Sequence, residues 1–232
     1  IPDDIIKAQA LMLERPDSAL LILEGMKGVE HLPAKLKATY NLCLIEARDK
    51  NYTVHTSDSL ITTVAAFFEK EDDPLMKAKA YYYQGRVNKD LQNSEKAAFA
   101  FKKAETFVNE TSDYRLKALI CTQMGGVFHY QRLFNDAIVW HEKAKDALLL
   151  AGDSVSISYI LRDIASAYSN LKEYDKSLSL FNDAYKVADA NNQLSVASNI
   201  LYDIALMYIQ RQMQDSVIVY MKKALLKDSA LV

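Results

Sequence analysis

Leu161-Arg162-Asp163-Ile164-Ala165-Ser166-Ala167-Tyr168 and, forty residues on, Leu201-Tyr202-Asp203-Ile204-Ala205-Leu206-Met207-Tyr208 decide the fold. In both, Leu, Ile, Ala and Tyr recur at the three- and four-residue intervals that bring side chains onto one face of an α-helix. The same shift of forty holds further up the chain. Gly85, Gly125, Ala165 and Ala205 form one column, and Ala104, Ala144, Ala184 and Ala224 another. Tyr81, Cys121, Leu161 and Leu201 align, as do Asn88, Phe128, Tyr168 and Tyr208. Phe101, His141, Phe181 and Met221 make a fifth column, and Ala97, Ala137, Ser177 and Val217 a sixth. The four copies stay in register without a gap.

Each column has a physical reading. A small residue in the Gly85 column lets the first helix of a pair approach the second. The Ala97 and Ala104 columns allow the same from the opposite side. Bulky residues in the Tyr81 and Phe101 columns fill the space between, and Asn88 stands out in a column otherwise aromatic. This order of bulky, small, aromatic, Ala, aromatic, Ala resembles the tetratricopeptide repeat. The resemblance implies an all-α, right-handed superhelical solenoid of about six antiparallel helix pairs. The family's unit is about 34 residues, and the surplus here falls before each first helix, as in Ser112-Asp113-Tyr114-Arg115-Leu116-Lys117.

Residues 73–232 are read as four regular repeats and 1–72 as degenerate pairs of the same single solenoid. Upstream, helices are expected over Asp3 to Glu14, Asp17 to Gly25, Lys35 to Lys50 and Ser57 to Glu69. Asp73-Pro74 places proline at a first helical position. Glu95, Asn135, Asp175 and Asp215 are expected to cap the second helices. The last helix is read through Val217, Ile218, Met221, Leu225 and Leu226 to Leu231-Val232. Its apolar face suggests a chain that continues past Val232, since solenoids close on a polar cap.

Composition narrows the function classes. Half of the residues are hydrophobic, a quarter are charged, and the net charge is −2. Duplex binding normally needs a basic excess for phosphate contacts, and none is present. No apolar run reaches membrane-spanning length. Six glycines and four prolines are too few for the turns of a β protein. Cys43 and Cys121 lie within apolar helical patterns and read as small buried hydrophobes.

Chemistry-bearing motifs are scarce. His141-Glu142 lacks a second histidine at zinc spacing, and His141 sits in the Phe101 column. Gly125-Gly126 reads as close helix packing and not as a phosphate loop. Glu71-Asp72-Asp73 stands at a helix start, where the dipole favours acids. No cofactor or metal site and no catalytic residue is read, and an enzyme is not expected.

In the architecture that the resemblance implies, the first helices line a concave groove. The candidate partner-binding residues are Lys79, Tyr82, Arg86 and Lys89, then Thr122, Gln123, His129 and Tyr130. The later repeats add Tyr159, Arg162, Asp163, Ser166 and Asn170, followed by Asn199, Tyr202 and Asp203. Leu119, Leu206 and Ile209 fall at groove positions too. Amides satisfy an extended backbone, and Tyr and Arg are frequent interface anchors. The partner is read as a protein or peptide, with the convex face and the edges as alternative surfaces.

Three stretches carry a narrower resemblance. Glu14-Arg15-Pro16-Asp17-Ser18-Ala19-Leu20-Leu21, Asp49-Lys50-Asn51-Tyr52 with Thr56-Ser57-Asp58-Ser59-Leu60-Ile61, and Ala80-Tyr81-Tyr82-Tyr83-Gln84-Gly85-Arg86 are similar to membrane-anchored bacterial tetratricopeptide regulators. That resemblance implies a leader upstream, a membrane helix and DNA-binding output domain downstream, and an extracytoplasmic sensor or scaffold between. A cytoplasmic peptide-receptor regulator and a generic assembly scaffold are the alternatives.

Overall fold

The computed structural model describes residues 2–229. The expected end of the last helix at Leu231-Val232 lies outside them. Among the described residues the fold is all α. Its helices are α1 (Asp3–Leu11), α2 (Pro16–Gly25), α3 (Ala34–Lys50), α4 (Ser59–Phe68), α5 (Pro74–Asp90) and α6 (Ser94–Val108). They continue as α7 (Tyr114–Tyr130), α8 (Phe134–Leu150), α9 (Ile157–Asn170), α10 (Tyr174–Ala190), α11 (Leu194–Gln210) and α12 (Gln214–Ser229). Consecutive helices pair as hairpins, which gives the expected six. They form two compact units, Ile1–Ser112 and Asp113–Val232. The first holds α1 to α6 and the second α7 to α12.

The forty-residue spacing is written into the turns. Tyr52, Gln92, Arg132, Lys172 and Gln212, forty residues apart, all take positive φ. At each, the next backbone N–H reaches back five residues, as in Asn93 N to Asn88 O (2.8 Å), Leu133 N to Phe128 O (2.9 Å) and Glu173 N to Tyr168 O (3.0 Å). This left-handed closure satisfies carbonyls that the helix end would leave bare. Gly152 and Asn192 repeat it between hairpins. Only one of these positions holds glycine.

The capping column differs from the one expected. Glu95, Asn135, Asp175 and Asp215 lie one residue inside α6, α8, α10 and α12. There they meet the positive end of the helix dipole but cap no N-terminus. Side-chain caps stand ahead of two first helices: for α5, Asp73 accepts from Met76 N (3.0 Å), and for α7, Asp113 accepts from Leu116 N (2.9 Å). Asp153 accepts from Ser156 N (3.0 Å) in the turn that leads into α9. Among the second helices, α6 has a side-chain cap, in which Asn93 accepts from Lys96 N.

The small-residue columns work as read. Ala97, Ala104, Ala137, Ala144, Ala184 and Ala224 are fully buried. A β-carbon on Gly85 would collide with the Phe101 ring, and one on Gly125 with the imidazole of His141. In the aromatic column, Phe128 stacks on Trp140 and Tyr208 on Tyr220. Asn88 is buried in that column and donates to Gln84 O (2.8 Å), while its Oδ1 finds no partner. Both cysteines are buried and unpaired with each other, and burial pushes the Cys43 thiol up to about 11.

Candidate partner-binding surface

First helices of neighbouring hairpins touch: α1 meets α3 and α3 meets α5 in the first unit, and α9 meets α11 in the second. No comparable contact joins α2 to α4 or α8 to α10 among the described residues. The row of first helices is therefore the inner side of each stack, and each unit presents its own inner face.

In the second unit, α9 and α11 meet along the inner face, and α7 is the first helix of the hairpin before them. Arg162 of α9 donates through Nε to Asp203 Oδ2 of α11, tying neighbouring repeats together. Burial works against the charge on Arg162, but Asp203, helped by Asp163, outweighs it and raises the pKa above the ordinary arginine value. Of the other groove residues expected here, Thr122, Gln123, Asp163 and Ser166 are half-buried, and Asn170 and Asn199 are exposed. Thr122 and Asn170 return hydrogen bonds to carbonyls four residues back, at Ala118 and Ser166. Tyr202 is held from the other side, its hydroxyl donating to Asp228 Oδ2 of α12 (2.9 Å). Large apolar side chains stand out between these polar groups. Tyr159 is 47% exposed, Leu206 52% and Ile209 50%, with Leu119 also open. At the end of α7, Tyr130 is 82% exposed.

His129 is half-buried and lies edge-on to Phe134 at 5.2 Å between ring centres. Burial lowers its pKa. His141 is 2% exposed and behaves as the core residue expected of its column, with burial holding its pKa down to about 4.

In the first unit, the expected surface is partly a core. Tyr82 is only 3% exposed, its ring 5.0 Å from that of Tyr83 and 6.0 Å from that of Phe101. It belongs to the interior and not to an open groove, because α3 comes close enough to α5 to cover it. Burial pushes its phenol up to about 12. Arg86 pairs with Asp49 of α3 (Nη2 to Oδ1, 2.9 Å), and burial raises the Asp49 pKa despite that partner. Lys79 is half-buried and Lys89 exposed. Asp49 was missed in the sequence, although the signal exists: it lies one period before Lys89, and Glu46 one period before Arg86. Among the described residues, no group of three or more His, Cys, Asp or Glu is placed to hold a metal, and no helix is long and apolar enough to cross a membrane.

No protein-family model and no curated protein matches the chain in sequence. Solved structures do match in fold. The apo form of RapI is 13% identical with a TM-score of 0.79, covering 96% of this chain and 64% of its own. A Rap protein complexed with Competence and Sporulation Factor is 14% identical at 0.72, covering 98% and 65%. A signal-transduction ATPase of Pyrococcus horikoshii with a tetratricopeptide repeat sensor is 16% identical at 0.68, covering 98% and 36%. The chain thus spans about two thirds of each Rap protein and about a third of the ATPase. The fold is tetratricopeptide-like.

Proposed function

We propose that the chain is a protein- or peptide-binding tetratricopeptide module, and that the inner face of α7, α9 and α11 captures the partner. The supporting observation is the exposure of Tyr159, Leu206 and Ile209 among amides, hydroxyls and the Arg162–Asp203 pair. Apolar anchors inside a polar surround are how interfaces concentrate their affinity. The free edges of asparagine amides beside them suit an extended backbone.

Within this reading the module is the sensor or scaffold portion of a membrane-linked bacterial transcriptional regulator, held on the outer side of the membrane. The three N-terminal stretches quoted above support that placement. A second reading, a cytoplasmic peptide receptor, draws on the Rap protein of like fold that is complexed with a factor. Neither reading gives the module a catalytic step of its own.

Peptide-display selection on the purified chain tests the capture surface. Selected peptides should bind the native chain and lose at least tenfold in affinity to Tyr159→Ala combined with Leu206→Ala, at unchanged helicity. Equal binding to this variant would move the site off the inner face. Fusing the chain's gene context to a topology reporter separates the two placements.

A further inference from the structure

The two helices that meet along the inner face of the second unit are depleted of charge. α9 (14 residues) carries Arg162 and Asp163, and α11 (17 residues) carries Asp203 alone. α10 and α12, the other arms of the same hairpins, carry five charged side chains each. The repeat register does not impose this, since the first helices α3 and α5 carry six and five.

Burial does not account for it either. Every exposed residue of α9 and α11 is uncharged, from Tyr159 and Asn170 to Asn199, Leu206, Ile209 and Gln210, whereas the three charges are half-buried. On α10 the order is reversed, and all five charges are exposed. Water-facing helix positions ordinarily hold such groups. An open surface that lacks them and keeps apolar side chains has the composition of an interface core.

The three charges that remain are engaged with one another. Arg162 bonds Asp203 across the two helices, and the Asp163 carboxylate favours the charge on the same guanidinium. A charged side chain seated here would lose its water and meet no counter-charge that is not already committed, which is costly. Main-chain groups fare better. Asn170 keeps its amide oxygen after donating to Ser166 O (2.8 Å), and Asn199 and Gln210 are open. An amide both donates and accepts, so it matches an extended backbone, while Tyr159, Leu206 and Ile209 offer apolar contact.

We propose that the segment captured over α9 and α11 is an extended peptide without charged side chains and rich in aliphatic ones. This rests on the capture reading above and adds the chemical class of the partner. Long-range charge does not steer such a segment, so ionic strength has little effect on its binding.

Three synthetic libraries of acetylated, amidated peptides of about eight residues test it, a length that at ~3.3 Å per residue crosses two neighbouring helices. One holds uncharged residues only, one has lysine or arginine at two central positions, and one has aspartate or glutamate there. Ligands of the native chain that weaken at least tenfold on Tyr159→Ala with Leu206→Ala should come from the uncharged library. Asn199→Ala, a single change at an exposed position, locates them where the double variant folds poorly. A lysine or glutamate placed at the centre of the tightest ligand should weaken it at least tenfold. Its Kd should move less than twofold between about 50 and 500 mM sodium chloride. Inner-face ligands that bind as tightly with a central charge, or that lose affinity several-fold with salt, overturn the uncharged class and leave capture by the inner face standing. Ligands indifferent to both variants, or none from any library, overturn both. The charge and salt comparisons are made on the native chain.

Discussion

Gly125 and His141 meet across the α7–α8 hairpin so closely that a β-carbon on the glycine would lie 2.5 Å from imidazole Cε1. One hairpin earlier, Gly85 stands in the same relation to the ring of Phe101. In the later repeats the small partner is Ala165 or Ala205 and the large one Phe181 or Met221. The two helices therefore settle at the distance that the pair of side chains allows.

Gly125→Ala should destabilise the chain by about 1–3 kcal/mol, the usual cost of overfilling a packed contact. Adding His141→Met, the kind of flexible partner that the fourth repeat uses, should recover much of the loss. Urea unfolding of the two variants checks the prediction. A Gly125→Ala variant as stable as the native chain would mean the close approach carries no packing constraint.

His141→Phe should stabilise the fold and remove part of its acid sensitivity. The imidazole Nδ1 is buried without a partner, and an unsatisfied polar atom costs about 1–3 kcal/mol. Phenylalanine already fills the same column at Phe101 and Phe181. Burial lowers the His141 pKa from 6.5 to about 4. Between those values the unfolded chain takes up a proton that the folded chain refuses, so stability falls as pH drops through the window. The native chain should lose roughly 3 kcal/mol there from this group, and the variant should not. Denaturation at pH 7 and pH 4.5 separates the two.

Lys172→Gly should raise stability by about 0.5–1 kcal/mol. Lys172 has φ of 63°, a region that costs an L-residue about 1 kcal/mol or more and glycine little. The entropy of glycine in the unfolded chain takes back part of the gain. The same exchange at Ala188, inside α10, should be destabilising, which makes it the matched control for thermal unfolding.

Asp49 and Arg86 should behave as a coupled pair. Asp49→Asn or Arg86→Gln alone leaves a largely buried charge without its partner, at about 3 kcal/mol. The double variant should cost clearly less than the sum, with a coupling of about 1–3 kcal/mol in a double-mutant cycle. Additive losses would show that the two residues contribute separately.

The parts of the fold legible in the sequence were those set by side-chain size. A column such as Gly85–Gly125–Ala165–Ala205 declares itself because nothing larger fits. The alanine columns do so for the same reason. Backbone-driven features stayed hidden. The left-handed turn residues Gln92, Arg132, Lys172 and Gln212 share no side-chain chemistry, since the main chain makes the closure. The caps were misplaced because acids favour both the cap and the first turn, and spacing alone does not separate Asp113 from Asn135. At the surface, register selected which way a side chain leaves its helix but not what the neighbouring helix brings to it. Tyr82 and Arg86 left α5 on the expected face and were met by α3, whereas Tyr159 and Leu206 stayed open.

The turn closures have an evolutionary corollary. Because main-chain bonds join each hairpin's two arms, a block cut at one turn and spliced at the next arrives with its junctions already compatible. Such a chain can grow or shrink by whole hairpins, and most side chains between the anchoring columns are released to drift.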